Sequence, residues 1–142
     1  AEWVKLCGID RPAVRAAAAG LEPERIEWAA ADWQPRRIAE YQASVVEADA
    51  LLADTGSCLI SCPTAQDRLL CYLPPACVVI ARTDQLAEHL PAIWPSVVSR
   101  AGGQSLTGEF VIVTGPSRTA DIEKILILGV HGPKRLVVLL IG

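Results

Sequence analysis

Three continuous apolar runs rich in β-branched residues mark the second half of the chain: 77–81 (CVVIA), 110–113 (FVIV) and 136–141 (LVVLLI). Runs of this kind fit strands buried on both faces, as in a parallel sheet covered by helices. Between the first two, Leu86, Leu90, Ile93 and Trp94 recur at helical spacing over 84–98. Pro91 and Pro95 divide that stretch into a helix and a turn, with His89 on the helix surface. The segment 101–108 (AGGQSLTG) reads as a flexible loop. In the first half, 3–6 reads as a short strand, followed by a helix with Asp10 as N-cap, Pro12 in its first turn and Gly20 past its end. Residues 21–37 mix a strand around Ile26 and Trp28 with open loop, and 36–44 predicts a helix with Ile38 and Tyr41 on one face. The alternation of strand and helix predicts an α/β fold: a Rossmann-like open, mostly parallel sheet with helices on both faces.

Composition narrows the class. A chain of 142 residues suits one domain. With 51% apolar and 20% charged residues it is neither a disordered chain nor a disulfide miniprotein. A net charge of −3 without basic blocks argues against a nucleic-acid partner, which needs a Lys/Arg stripe to displace phosphate counterions. The five cysteines (Cys7, Cys58, Cys62, Cys71 and Cys77) are odd in number and contain no C-x-x-C pair. They point to a reducing, cytoplasmic setting and give no support to a metal site or an iron–sulfur cluster. Cys58 and Cys62 fall on one face of an extended strand, where they act as small buried hydrophobes. No apolar run approaches the roughly 18 residues of a membrane span, and the start is not a signal peptide. Methionine is absent, so the initiator is expected to lie outside these 142 residues.

Three loops carry candidate chemistry, and in such sheets ligands gather beyond the carboxyl ends of the strands. The first is Asp54-Thr55-Gly56-Ser57, a tight turn presenting a carboxylate, two hydroxyls and backbone N–H groups. It has the parts for a nucleophile or general base, and equally those of a hairpin turn whose Asp bonds its own backbone. The second is GPSRTADIE at 115–123, directly after the run ending at Val113. Gly115, Ser117 and Thr119 read as a loop opening a helix, where free N–H groups attract an anion and Arg118 clamps it. Asp121 and Glu123 would sit in that helix's first turn and satisfy its dipole without any ligand. The third, 129–135, holds His131 beside Gly132, with a ring suited to proton transfer near neutrality or to a plain structural role. Pro74-Pro75 stiffens the approach to the strand at 77–81 and keeps Leu73 extended.

Together, ADTGS at 53–57, LPP at 73–75, GPSRTADIE at 115–123 and LGVHGP at 128–133 resemble the LUD domain of the lactate utilization protein family, its C-type member in particular. The match runs from about Val45 to the end. The resemblance implies a NagB/RpiA/CoA-transferase-like fold. It also implies a cytoplasmic bacterial protein tied to oxidation of L-lactate to pyruvate alongside iron–sulfur lactate utilization subunits of the A and B types, with no cluster in this chain. The family usually carries A-E-T-G-T where this chain has A-D-T-G-S, so Asp54 is one methylene shorter than the Glu of that turn. On the same footing the 142 residues are expected to be one LUD domain, the N-terminally trimmed core of a longer protein.

Two functions follow as expectations. One is a non-catalytic or regulatory subunit of a lactate-oxidising assembly that binds a small anionic ligand or a partner subunit through Thr55, Gly56, Ser57, Gly115, Ser117, Arg118, Thr119, Asp121, Glu123 and Gly132. The other is an enzyme of the CoA-transferase or sugar-phosphate-isomerase kind, with Asp54 as nucleophile or base and His131 as proton carrier. A free-standing lactate dehydrogenase has no G-x-G-x-x-G to support it.

Overall fold

Residues 5–19, 25–102, 109–116, 118–120, 126–128 and 132–142 are described in the computed structural model. In chain order the first elements are β1 (Leu6–Gly8), α1 (Pro12–Ala18), β2 (Ile26–Trp28), α2 (Pro35–Ile38), β3 (Ala43–Glu47), β4 (Ala50–Leu52), β5 (Ser57–Cys62) and α3 (Ala65–Leu70). They are followed by β6 (Ala76–Arg82), β7 (Leu86–Ala87), α4 (Leu90–Gly102), β8 (Glu109–Val113), β9 (Arg118–Ala120), β10 (Leu126–Leu128) and β11 (Arg135–Ile141).

The central sheet runs β11-β6-β3-β1-β2, and all its pairings are parallel. The chain steps outward from β1 to β2 and then back across to β3, so right-handed crossovers place α1 on one face and α2 on the other. Helices therefore cover both faces of a mostly parallel sheet, as the strand–helix alternation predicts. A second sheet, β7-β4-β5-β8, joins it. Along β5 one side chain set, Cys58, Ile60 and Cys62, enters the main core with Cys7, Val46, Leu70 and Val79. The alternate residue Leu59 faces the other way and packs with Ala50 and with Val97 of α4. Among the described residues no helix is long and apolar enough to cross a membrane.

Several expectations need correction. Of the three apolar runs only β6 is a buried, two-sided parallel strand. The run at 110–113 lies in β8, which is antiparallel to β5 with Ile112 47% exposed, because it borders the second sheet instead of filling the first. The run at 136–141 is parallel to β6 but forms the sheet's edge, leaving Leu140 60% exposed. The helix expected over 84–98 begins only at Leu90, since Leu86 and Ala87 pair with Leu51 and Leu52. Pro91 sits in its first turn, and the chain carries Pro95 inside the helix without breaking it. His89 precedes α4 and is half-buried, its Nδ1 buried without a partner. The same helix extends through Gly102, so the expected loop loses its first two residues. Arg11, not Asp10, holds the N-cap of α1, while Asp10 pairs with Arg15 at 2.5 Å. Trp3, Gly20 and residues 103–108 lie outside the described residues.

The helix expected over 36–44 ends after one turn at Ile38. Tyr41 turns inward to stack on Trp33, centroids 5.4 Å apart and planes 12° from parallel. Ala43 is already paired with Leu6, so the backbone is needed for the sheet. Arg37 lies 4.0 Å over the Trp33 ring and pairs with Glu27 of β2 at 2.9 Å. The hydrogen bond with Tyr41, and after it the one from Arg37, holds the Glu27 carboxyl below the usual glutamate range against the opposing effect of burial.

A depressed carboxyl pKa contributes stability that is complete above the unfolded value, near 4.3, and is lost as pH falls through the folded value. Glu27→Gln should therefore flatten the acid limb of a stability–pH curve measured by urea unfolding while leaving the neutral limb nearly parallel to wild type. The core makes a second prediction. Ile60 is fully buried between the two sheets, so Ile60→Ala should lower unfolding free energy by about 2–5 kcal/mol, with an unchanged denaturant slope.

Candidate functional site

The turn Asp54-Thr55-Gly56 closes the β4–β5 hairpin, in which Leu52 pairs with Ser57. Gly56 takes φ 65°, a left-handed conformation that costs an L-residue about 1–2 kcal/mol. The backbone on either side is braced: the N–H of Ala53 donates to the Ala87 carbonyl at 2.9 Å and that of Asp54 to Glu88 at 3.0 Å. The segment is thus a hairpin turn, as one of the two alternatives expects, with the Asp54 carboxylate accepting from the Thr55 hydroxyl.

Strand register then connects this turn to the second loop. Cys58 pairs with Val113, which places Ser57 beside Thr114, one step past the ladder. Their hydroxyl oxygens lie 2.9 Å apart. Ser57, only 3% exposed, donates to Thr55 Oγ1 at 2.7 Å, and the Thr55 hydroxyl reaches Asp54 Oδ1 at 3.2 Å. A chain of side-chain contacts thus runs from the exposed Asp54 to the threonine that precedes Gly115.

The third loop meets the second at a cavity of about 320 Å³. Val111, Ile112, Val113, Thr114 and Gly115 form one wall, and Cys71, Tyr72, Gly132 and Pro133 form the other. Gly132 takes φ 82°, and a Cβ there would come within 4.0 Å of the Tyr72 Cβ. The Pro75 carbonyl holds the loop in place by accepting from the N–H groups of Lys134 at 2.8 Å and Arg135 at 3.2 Å. The LPP segment therefore does more than stiffen β6: it anchors the far wall of the cavity.

Of the residues singled out from sequence, Gly115 and Gly132 line this cavity, and Ser57, Thr55 and Asp54 connect to it through Thr114. Asp54 is not one of the lining residues. Arg118 and Thr119 are placed as backbone in β9, paired with Leu128 and Ile127 of β10. This corrects the helix expected to open there: the backbone groups of 118–120 enter an antiparallel ladder, leaving no helix N-terminus at Arg118. Ser117, Asp121, Glu123 and His131 lie outside the described residues. Cys71, Tyr72, Thr114 and Pro133 were not singled out from sequence. Tyr72 carried one signal, an aromatic directly ahead of LPP in a chain with 5% aromatics. Thr114 gains its place only through strand register. Among the described residues, no group of three or more His, Cys, Asp or Glu side chains is arranged to hold a metal ion.

Comparison with known proteins bears on this arrangement. The LUD domain family model matches residues 16–141. This chain belongs to the LUD domain family. It is 38% identical over 109 residues to lactate utilization protein C of Bacillus pumilus, a match covering 74% of this chain and 45% of that protein. It is 30% identical to the uncharacterized protein YkgG of Escherichia coli K12, covering 77% of this chain and 51% of the relative. The chain thus spans about half the length of these curated relatives. Among solved structures, a DUF162 family protein from Deinococcus radiodurans superposes with a TM-score of 0.62 at 16% identity, covering 98% of this chain and 88% of that one. That likeness supports the LUD fold.

The hydroxyl contact between Ser57 and Thr114 should be measurable as coupling. Ser57→Ala and Thr114→Val are each expected to cost about 1–2 kcal/mol of stability. The double variant should fall short of their sum by at least about 0.5 kcal/mol in a double-mutant cycle, whereas strict additivity would place the two hydroxyls apart.

Proposed function

We propose that this LUD domain serves lactate utilization as an accessory or regulatory subunit of the system that oxidises L-lactate to pyruvate, binding a small anionic ligand at the cavity between Thr114–Gly115 and Gly132–Pro133. The observation that carries the reading is the meeting at one cavity of two loops that the family resemblance singles out, with the ADTGS turn tied to it through Ser57. The names borne by the curated relatives support the pathway. The cavity's polar groups support the ligand class. Thr114 brings a hydroxyl, and left-handed Gly132 is the kind of turn that turns backbone N–H groups toward an anion. A carboxylate the size of lactate or pyruvate fits well within about 320 Å³. The iron–sulfur subunits of the A and B types are the proposed partners and would carry the redox chemistry.

The enzymatic alternative asks Asp54 to act on a bound substrate. Its carboxylate is exposed, accepts from Thr55 and stands outside the cavity lining, so no feature of the site favours that chemistry over binding.

The test has a genetic and a biophysical arm. Deleting the gene should impair growth on L-lactate, and the full-length protein should retain the iron–sulfur subunits in a pull-down; unchanged growth together with no capture overturns the assignment. Pyruvate or L-lactate should raise the melting temperature of the purified protein, by about 2.7 kcal/mol of stabilisation at 100 times the Kd. Thr114→Val should weaken that shift several-fold, while an undiminished shift in the variant would move the ligand elsewhere.

A further inference from the structure

All five cysteines are buried, and one pair is in thiol–thiol contact: Cys62 Sγ, at the end of β5, lies 3.9 Å from Cys71 Sγ, the C-cap of α3. Each also stands at a cavity wall. Cys62 borders a space of about 160 Å³ with Pro63, Thr64, Ala65, Arg68 and Glu109, and Cys71 borders the larger cavity described above. Such an arrangement gives a small oxidant a route to one sulfur with a second sulfur in reach of the product. We propose that Cys62 and Cys71 form a hydroperoxide-reactive dithiol, oxidised reversibly to a disulfide that links β5 to α3.

The chemistry balances with a hydroperoxide as the oxidant. The Cys62 thiolate, its proton released to water, attacks the distal peroxide oxygen. The O–O bond breaks, the leaving oxygen takes up a proton, and Cys62 becomes a sulfenic acid. Cys71 sulfur then attacks Cys62 sulfur, and the hydroxyl leaves as water carrying the Cys71 proton. Two thiols and one hydrogen peroxide give one disulfide and two waters. The environment assigns the roles. The sulfur–sulfur contact with Cys71 and, to a smaller extent, Arg11 lower the Cys62 pKa against the effect of burial. The same contact, followed by burial, holds Cys71 strongly protonated. Cys62 is therefore the peroxide-reactive thiol and Cys71 the resolving one, its proton available where the departing hydroxyl needs it.

Bond formation draws the sulfurs from 3.9 Å to about 2.05 Å. Cys71 and the adjacent Tyr72 both wall the larger cavity, so the closure displaces that wall. An effect on ligand binding rests on the function proposed above; the cross-link itself does not.

The experiment uses the reduced full chain, treated with hydrogen peroxide, quenched, then unfolded and alkylated before peptide mass mapping. The expected product is a peptide pair joined through Cys62 and Cys71, lighter by two hydrogens and restored by dithiothreitol. Cys71→Ser should leave a dimedone-reactive sulfenic acid on Cys62, and Cys62→Ser should leave Cys71 unmodified at the same dose. Complete alkylation of both wild-type cysteines after treatment, or a link from Cys71 to Cys77 instead, overturns the proposal; neither readout depends on a variant folding. If the cross-link forms and the pyruvate-dependent melting shift is the same in both redox states, the coupling to the cavity is overturned while the dithiol stands.

Discussion

A strand buried on both faces has nowhere to send a polar group, and β5 carries two serines among its six buried residues. How those serines are satisfied organises much of the molecule. Ser57 turns its hydroxyl to Thr55 and Thr114, which fixes the hairpin turn against the end of β8. At Ser61 the backbone takes part as well. Its N–H donates to Asp49 at 2.5 Å, and its carbonyl accepts from the Arg11 guanidinium at 2.6 Å. An unpaired buried polar group costs about 1–3 kcal/mol, so each contact is enforced by the apolar packing around it. Cys58, Ile60 and Cys62 can fill the main core because the polar positions of the same strand are anchored at its two ends.

Those anchors also decide which end of the central sheet is open. In doubly wound sheets the crevice for a ligand lies beyond the carboxyl ends of the strands, where the chain reverses direction. Here that reversal falls between β1 and β3, and the residues just beyond those strands include Arg11 and Asp49. Both are committed to Ser61, so the chain's own backbone engages charged side chains that a ligand would otherwise meet. The cavity lined by Gly115 and Gly132 is elsewhere. Gly132 precedes β11 and Tyr72 precedes β6, which puts the cavity at the amino end of two parallel strands and at the carboxyl end of antiparallel β8.

What the sequence disclosed follows the same division between local and long-range forces. The run at 77–81 lies in β6, which has strands along both edges and buries most of its residues, and its pattern is sufficient to place it. The equally apolar runs at 110–113 and 136–141 carry the same local pattern but occupy sheet borders, a distinction made only by pairing. Tyr41 looked helical by spacing, yet its stacking on Trp33 and the need of Ala43 for β1 end the helix early. Likewise the turn at Gly56 was legible from Asp-Thr-Gly chemistry, whereas its contact with Thr114 comes from register across 57 positions of sequence. Local chemistry identified the loops; long-range pairing determined which of them meet.

The cavity is accordingly made more by backbone than by side-chain charge. Among the described residues its walls carry no Asp, Glu, Lys or Arg, and the polar side chains among them are those of Thr114, Tyr72 and Cys71. Gly115 and Gly132, both at positive φ, allow two chain segments to face each other across it. A Cβ at 132 would meet the Tyr72 Cβ only at an ordinary contact distance of 4.0 Å, so it is the left-handed turn, not the space, that calls for glycine. On the proposed reading, selection among small anions by the described part of this lining depends on hydrogen-bond geometry and size. Displacement of the Tyr72 wall by even a fraction of an ångström would then change the shape on which such a fit depends.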